Sequence, residues 1–153
     1  MSNSKKSAGI LVYRSVKKKR QYFLVHPGGP FWKNKDEGSW SLPKGELNEN
    51  EEPLEAAKRE FFEETGQEIS GKFIELKPIK QSSGKLIFAW VIEGIVDEKK
   101  VVSNTIEIQW PPKSGKRVNI PEVDRGEWFE YDKAVEKIVK GQVGFLNECE
   151  SKI

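Results

Sequence analysis

Two short apolar segments near the start of the chain are rich in β-branched and aromatic residues. Residues 8–14 (AGILVYR) and 21–26 (QYFLVH) flank the charged stretch 15–20, and this pattern predicts a β-hairpin. A nearly continuous apolar run at 85–96 predicts a central strand, because strands covered on both faces have few polar positions. The same kind of pattern predicts further strands at 39–42, 72–79, 105–110 and 128–131.

Apolar positions at helical spacing predict two helices. The first begins near Glu52, with Pro53 at the first helical position, where its missing N–H costs nothing, and it ends at Gly66. The second covers residues 132–140. Helices placed between runs of strands indicate an α/β fold in which helices sandwich a mixed sheet. The apolar face of the first helix is predicted to hold Leu54, Ala57 and Phe61.

Size and composition narrow the function classes. A chain of 153 residues fits one domain, here residues 1–153, that buries a core without disulfides. The 26 basic and 24 acidic residues give a net charge of +2, so no bulk attraction to nucleic acid or membranes is expected. Cys149 is the single cysteine and excludes an internal disulfide. Because residues 1–7 are polar and no apolar run has transmembrane length, we expect a cytoplasmic protein.

The acidic side of the first helix carries the most specific chemistry. Glu60, Glu63 and Glu64 stand at i, i+3 and i+4, so their carboxylates project from one side of the helix. Like charges at this spacing repel by roughly 0.2–0.5 kcal/mol per pair, which indicates that the cluster serves a cation. Oxygen ligands of this kind suit Mg²⁺ or Mn²⁺. The alternative is that these glutamates lie on a solvated helix face where they pair with lysines. However, no lysine stands four residues after any of the three glutamates.

The spacing around these glutamates resembles the Nudix box of the Nudix hydrolase superfamily. Residues 45–66 read GELNENEEPLEAAKREFFEETG, and only the final position of the box departs from the pattern, with Gln67 in place of an aliphatic residue. The resemblance implies a MutT-like protein with the Nudix fold, an α/β/α sandwich around a mixed sheet. The motif positions are filled by Gly45, Glu51, Arg59, Glu60, Glu63, Glu64 and Gly66.

The resemblance also implies a reaction and a cofactor. Nudix hydrolases cleave a pyrophosphate bond in a nucleoside diphosphate linked to another moiety, by attack of water on phosphorus. Divalent metals, Mg²⁺ or Mn²⁺, neutralise charge on the phosphate oxygens. The implied metal ligands are the carboxylates of Glu60, Glu63 and Glu64 together with the carbonyl of Gly45.

Catalytic roles follow from the same resemblance. Glu63 or Glu64 would lie close enough to a bound water to help deprotonate it, and Arg59 would orient a glutamate through a two-pronged hydrogen bond. In parts of the family the general base is a glutamate on a later loop. Glu122 is our candidate for that base, and Glu107 is the second choice.

Features outside the box bear on the substrate. Residues 40–45 (WSLPKG) resemble the lead-in of dinucleoside polyphosphate and diphosphoinositol polyphosphate hydrolases, and Lys44 would meet a phosphate chain. Segments 26–32 and 103–112 resemble a bacterial subgroup of predicted nucleoside triphosphate pyrophosphohydrolases. Trp32 and Trp110 stand in loops rich in glycine and proline, where they either stack on a nucleobase or cover the edge of the core. We expect a small nucleotide substrate, either a nucleoside triphosphate or a dinucleoside polyphosphate such as diadenosine tetraphosphate.

Other function classes lack the residues that they need. The basic run at 17–20 is more typical of a solvated turn than of a nucleic-acid site, so no nucleic acid or membrane partner is expected. His26 is the single histidine, and no G-x-S-x-G supports a serine hydrolase. A non-catalytic Nudix module that senses a nucleotide remains the alternative to an enzyme, although the intact glutamates favour the enzyme. The sequence leaves the oligomeric state open.

Overall fold

The computed structural model describes residues 5–153, so the first four residues of the polar stretch 1–7 lie outside the described range. Within that range the chain forms nine strands and three α-helices. No helix there combines the length and apolar character that crossing a membrane requires. The strands are β1 (Lys6–Val16), β2 (Lys19–Pro27), β3 (Lys44–Glu46), β4 (Ile74–Glu75), β5 (Ile79–Lys80), β6 (Leu86–Glu93), β7 (Thr105–Gln109), β8 (Arg117–Pro121) and β9 (Val123–Glu130). The helices are α1 (Pro53–Thr65), α2 (Tyr131–Lys137) and α3 (Val143–Lys152).

A mixed seven-stranded sheet lies at the centre of the described structure. Its main order is β4–β6–β1–β2–β9, with β3 paired to β1 and β5 to β6. The β1–β6 pair is parallel, and the β1–β2 and β2–β9 pairs are antiparallel. Ile10 and Val12 of β1 pack with Phe61 of α1 on one face, whereas Leu11 packs with Phe145 of α3 on the other. The predicted fold, a mixed sheet between helices, is confirmed.

Three locally encoded elements form as predicted. The β1–β2 hairpin closes through Lys17 and Lys18, whose φ angles of 52° and 68° suit a two-residue turn matched to the twist of the strands. Helix α1 begins at Pro53 and is capped by Gly66 with a φ of 73°. Strand β6 pairs with β1 on one side and with β4 and β5 on the other, so its continuous apolar pattern belongs to a central strand.

Two predicted strands were wrong in extent. Residues 39–42 make only isolated bridges, from Trp40 to Ile138 and from Ser41 to Val25, and the strand of this segment is β3, which begins directly after Pro43. In place of one strand at 72–79 the chain forms the two-residue strands β4 and β5, with Pro78 between them. In each case a proline stands directly before the strand that follows.

Other elements near the C-terminal end differ from the prediction. Strand β9 begins at Val123 rather than at residue 128, and α2 ends at Lys137 because Ile138 turns extended to bridge Trp40. Strand β8 and helix α3 were not predicted from the sequence. Strand β8 pairs with β7 as a two-stranded ribbon outside the main sheet. Short 3-10 helices occur elsewhere, at Glu98–Lys100 and Lys140–Gln142.

A buried histidine fastens the loop that follows β2. The His26 ring is fully buried, and each of its nitrogens faces an acceptor oxygen. Nδ1 lies 3.0 Å from a carboxylate oxygen of Asp124 on β9, and Nε2 lies 2.6 Å from the backbone carbonyl of Lys35. The ring also packs edge-on against Trp40 at 5.1 Å between centroids. These contacts tie the loop that carries Trp32 to the sheet.

We expect His26→Ala to lower the melting temperature by at least about 5 °C. Truncation leaves a cavity in place of a fully buried ring and removes its contacts with the Lys35 carbonyl and the Asp124 carboxylate, at a cost of about 2 kcal/mol or more, and each kcal/mol corresponds to roughly 2–4 °C for a domain of this size. Differential scanning calorimetry measures the shift. Lys35→Ala is the matched control, since it keeps the backbone carbonyl that the ring contacts. A His26→Ala protein that melts within 1 °C of this control would contradict the assignment.

Candidate functional site

Three carboxylates from two distant parts of the sequence meet beside α1. Glu60 and Glu64 lie one turn apart on α1 and are only 8% and 5% exposed. Glu122 stands between β8 and β9. One oxygen from each of the three side chains lies within 4.8 Å of the others, and we call this group the acidic cluster. Among the described residues, the acidic cluster does not include Glu63, the third glutamate of the helical triplet.

Arg59 holds the glutamates of α1 in place. Its Nε and Nη2 donate to the two oxygens of Glu51 at 2.9 Å each, which is a two-pronged pair. Its Nη1 donates to both Glu60 and Glu63 at 2.8 Å, and Nη2 also reaches the carbonyl of Glu46 at 3.0 Å. The guanidinium therefore fixes one member of the acidic cluster and joins Glu63 to it indirectly.

Strand β3 approaches α1 so closely that a side chain at position 45 would displace the carboxylate of Glu60. A Cβ added to Gly45 would lie 2.0–2.4 Å from the carboxylate atoms of Glu60. The preceding backbone N–H, that of Lys44, donates to Glu64 at 3.3 Å. The structure therefore brings the backbone of residues 44–45 against both buried glutamates, and the Gly45 carbonyl stays a predicted ligand on this strand.

Burial and mutual repulsion perturb the charges of the site. Burial, followed by repulsion from Glu122 and Glu60, raises the pKa of Glu64 well above its usual value. Burial also raises the pKa of Glu60, which the hydrogen bond from Arg59 opposes. The pKa of Lys44 is lowered by burial and by nearby Lys85, while the glutamates act in the other direction. Burial and mutual repulsion therefore both oppose ionisation of the two buried glutamates.

Glu122 is positioned through its backbone. Its N–H donates to the carbonyl of Asn104 at 3.0 Å, and its carbonyl accepts from Gly28 at 3.0 Å. The N–H of Asn104 in turn donates to the carbonyl of Glu63 at 2.7 Å. The neighbouring Val123 N–H donates to the hydroxyl of Ser103 at 3.0 Å. Segment 103–104 therefore links the acidic helix, Glu122 and the loop after β2, a role that nothing in the local sequence pattern signals.

The acidic cluster borders a cleft of about 360 Å³. Glu64, Glu122, Lys44 and Trp32 line it, so four of the predicted site residues lie at one cavity. The lining also includes a residue that the sequence analysis missed, Gln142, whose amide oxygen accepts from the backbone N–H of residue 42 at 3.1 Å. Gln142 is a single polar residue in a segment with little hydrophobic periodicity, so the sequence did not indicate that it lies at the cleft.

Two other predicted residues lie away from this cleft. Trp110 lines an adjoining groove that shares Trp32 and Glu122 with the cleft. Glu107 projects from the other face of the β7–β8 ribbon, where it pairs with Arg117 at 3.4 Å, so the structure does not bring it to the acidic cluster. The later-loop glutamate that meets α1 is Glu122.

The donor set matches a hard divalent cation. All three side chains of the acidic cluster offer oxygen, two of them are buried, and the pKa of Glu64 is raised first by burial and then by repulsion from Glu122 and Glu60, which a cation would relieve. With no histidine or cysteine in the cluster, Mg²⁺ or Mn²⁺ fits these ligands better than a softer metal.

We expect Glu64→Gln to stabilise the protein at pH 8 in the presence of a chelator. An acid with a raised folded-state pKa binds a proton on folding, so stability falls as pH rises from the usual value near 4.5 through the raised pKa. The amide removes this cost. Melting curves should show a gain at pH 8, roughly 2–4 °C per kcal/mol, that shrinks towards pH 5. Glu55→Gln, on the exposed side of the same helix, should show no such pH-dependent gain, and a Glu64→Gln protein that follows it would refute the argument.

The chain is similar to curated RNA pyrophosphohydrolases over part of their length. It is 39% identical to the protein of Bartonella henselae over 66 residues, which are 40% of this chain and 35% of that one. It is 32% identical to the protein of Brucella anthropi over 117 residues, 65% of this chain and 61% of that one. The chain therefore spans less than two thirds of the length of these relatives.

The fold has close counterparts among solved structures. The crystal structure of a Caenorhabditis elegans Ap4A hydrolase binary complex aligns over 96% of both chains with a TM-score of 0.66. At 18% identity this similarity concerns the fold. The family model described as the NUDIX domain matches residues 4–149, which is nearly the whole chain. The chain therefore belongs to the Nudix family.

Proposed function

We propose that this protein is a metal-dependent pyrophosphohydrolase that cleaves a phosphoanhydride bond in a nucleoside polyphosphate. The observation that carries the proposal is the meeting of Glu60, Glu64 and Glu122 at a cleft that also presents Lys44. Such a concave site, with charged groups of perturbed pKa, is the usual setting for catalysis. Curated relatives named RNA pyrophosphohydrolase support the same class of reaction.

Glu60 and Glu64 would hold the divalent cation, Mg²⁺ or Mn²⁺, with Glu63 and the carbonyl of Gly45 as further ligand candidates and the carboxylate of Glu122 close beside them. A cation held there would supply charge neutralisation at the phosphate oxygens and would make a water molecule easier to deprotonate. The protein supplies the fixed positions of these oxygens, because Arg59 and the close approach of β3 leave the carboxylates little freedom.

Other side chains of the site bind phosphate and move the proton. Lys44 lines the cleft and offers its ammonium to the phosphate chain. Glu122 is our choice of general base, since its backbone is anchored on both sides and its carboxylate lines the cleft. Glu63 and Glu64 remain candidates for assisting that proton transfer. Arg59 acts through the glutamates and not on the substrate.

A second candidate substrate is the 5′-triphosphate end of RNA, which the names of the curated relatives favour. Extended RNA would need a basic surface next to the cleft. The basic tip of the β1–β2 hairpin is too far away to supply it. Gly9 of β1 pairs with Lys44 at the cleft, and Val16 at the hairpin tip is seven residues further along β1, or roughly 23 Å at 3.3 Å per residue. The absence of a nucleic acid partner stays a prediction.

The test is hydrolysis of a nucleotide panel with Mg²⁺ by the wild type and Glu60→Gln. The panel contains ATP, diadenosine tetraphosphate and a 5′-triphosphorylated RNA oligonucleotide. We expect Glu60→Gln to lower kcat/KM by at least about 100-fold, more than the roughly 10–100-fold that loss of an outer partner of a metal ligand causes. Products formed in ¹⁸O-labelled water identify the phosphorus that is attacked.

The matched control is Glu55→Gln, which makes the same chemical change on an exposed position of α1. It should keep wild-type activity. A wild-type protein that binds a nucleotide of the panel but hydrolyses none would favour a nucleotide-sensing module instead. Preference for the RNA substrate over both small nucleotides would assign the second candidate.

Arg59→Lys tests the support of the acidic cluster. Lysine keeps the charge but lacks the fork that spans Glu51, Glu60 and Glu63, so we expect kcat/KM to fall roughly 10–100-fold and half-maximal activity to need more Mg²⁺. Steady-state kinetics over a Mg²⁺ series measure both effects. Arg117→Lys, exposed on the β7–β8 ribbon, should change neither. An unaltered Mg²⁺ dependence in Arg59→Lys would mean that Arg59 does not position the metal ligands.

A further inference from the structure

We propose that Gln142 is a positioning residue, which holds Lys44 in place for phosphate binding although it belongs to the C-terminal part of the chain. This inference rests on the proposed function and adds to it a residue that acts through its neighbours. Gln142 is 1% exposed and stands where a short 3-10 helix leads into α3. Its side-chain amide contacts Ser41 and Leu42, which directly precede Pro43 and Lys44.

Backbone hydrogen bonds hold the chain on both sides of Leu42, whereas Leu42 itself is held by a side chain. Before it, Ser41 and Val25 exchange two backbone bonds, at 2.8 and 3.0 Å. After it, the carbonyl of Pro43 accepts from a backbone N–H of β1 at 3.1 Å. Leu42 is fully buried, and its N–H donates to the amide oxygen of Gln142 at 3.1 Å. A buried N–H needs an acceptor, and here a residue distant in the sequence provides it.

The hydrogen bonds also determine which way the amide of Gln142 is oriented. The N–H of Leu42 can only donate, so the atom that faces it must be the amide oxygen. The amide nitrogen then donates to the hydroxyl of Ser41 at 3.0 Å. That hydroxyl has one proton, and its nearer acceptor is the carbonyl of Leu42 at 2.6 Å rather than the amide oxygen at 3.2 Å. The amide and the hydroxyl together therefore satisfy both polar backbone groups of Leu42.

The position of Leu42 determines the position of Lys44, because little freedom remains between the two residues. Proline has a fixed φ angle, so Pro43 transmits a movement of Leu42 to the next residue. The segment also lies directly against β1, where a Cβ added to Gly9 would lie 2.1 Å from the side chain of Leu42 and 2.7 Å from that of Lys44. The Lys44 side chain lines the cleft, and its backbone N–H donates to Glu64 at 3.3 Å. A shift of Leu42 would therefore displace the ammonium that binds the phosphates under the proposed function.

Amide exchange and nucleotide binding test the proposal with Gln142→Met, which keeps the length of the side chain but cannot make these hydrogen bonds. Amide exchange measured by NMR should become faster at Leu42, because its N–H loses its acceptor. Calorimetric titration with a methylene-bridged ATP analogue in Mg²⁺ should show a dissociation constant raised at least about tenfold, the scale of a charge-assisted hydrogen bond. Gln142→Asn, whose amide is one methylene too short to reach Leu42, should weaken binding as well, and it serves as the test if the methionine variant does not fold.

Gln67→Met is the matched control, because Gln67 makes the same kind of contact outside the lining of the cleft. Its amide oxygen accepts from the N–H of Asp97 at 3.0 Å, and its amide nitrogen donates to the carbonyl of Asp97 at 2.9 Å. The same chemical change therefore removes a side-chain clamp on the backbone at both positions. Gln67→Met should lower the melting temperature but keep the wild-type dissociation constant for the analogue.

An unchanged dissociation constant in the folded variants of Gln142, or an equal loss of affinity in Gln67→Met, would overturn the proposal. Unchanged exchange at Leu42 or a wild type that binds no nucleotide would do the same. The proposed function fails separately. A wild type that binds the analogue through this arrangement but hydrolyses nothing keeps the role of Gln142 and loses the enzyme, whereas an active enzyme with an affinity independent of Gln142 loses only this inference.

Discussion

The burial of Glu60 and Glu64 beside a third carboxylate is the constraint on which the site depends. An isolated helix would keep such side chains in water, but here the sheet covers them, and repulsion adds to the cost of burial. The arrangement persists because Arg59 binds several carboxylates at once and because Gly45 leaves room for Glu60. The native packing therefore concentrates unfavourable electrostatics at one place, and under the proposed function a bound cation would offset them, a common trade of stability for function.

Several distant segments are joined so that this charge stays in one place. Backbone hydrogen bonds connect helix α1 with the β8–β9 junction and with the loop after β2. They join Glu63 to Asn104, Asn104 to Glu122, and Glu122 to Gly28. His26 fastens the same loop to β9 from beneath. A displacement of the β7–β8 ribbon would therefore move Glu122 relative to α1. The acidic cluster and the cavities beside it are therefore connected through the same backbone hydrogen bonds.

Sequence alone predicted the parts of the fold that are encoded locally. The capped helix α1, the first hairpin and the apolar strand β6 follow from short-range periodicity and turn chemistry. The spacing of the glutamates indicated a cation site, but not that Glu64 would be buried and Glu63 a third exposed, because that depends on which side of the helix faces the sheet. The proximity of Glu122 is likewise tertiary. Helix α3 has a weak polar–apolar pattern, and the ribbon is exposed on much of its surface, so neither gave a strong local signal.

Charged and apolar surfaces adjoin each other at Glu122. Lys44 lines the cleft beside Glu64 and Glu122, whereas Arg59 is already shared among other glutamates, so carboxylates outnumber the cations beside them. The adjoining groove that includes Trp110 is lined mostly by uncharged side chains. Glu122 borders both cavities. Under the proposed function a cation would therefore be needed before a polyphosphate gained much at the cleft, whereas contacts made in the groove would not depend on that cation.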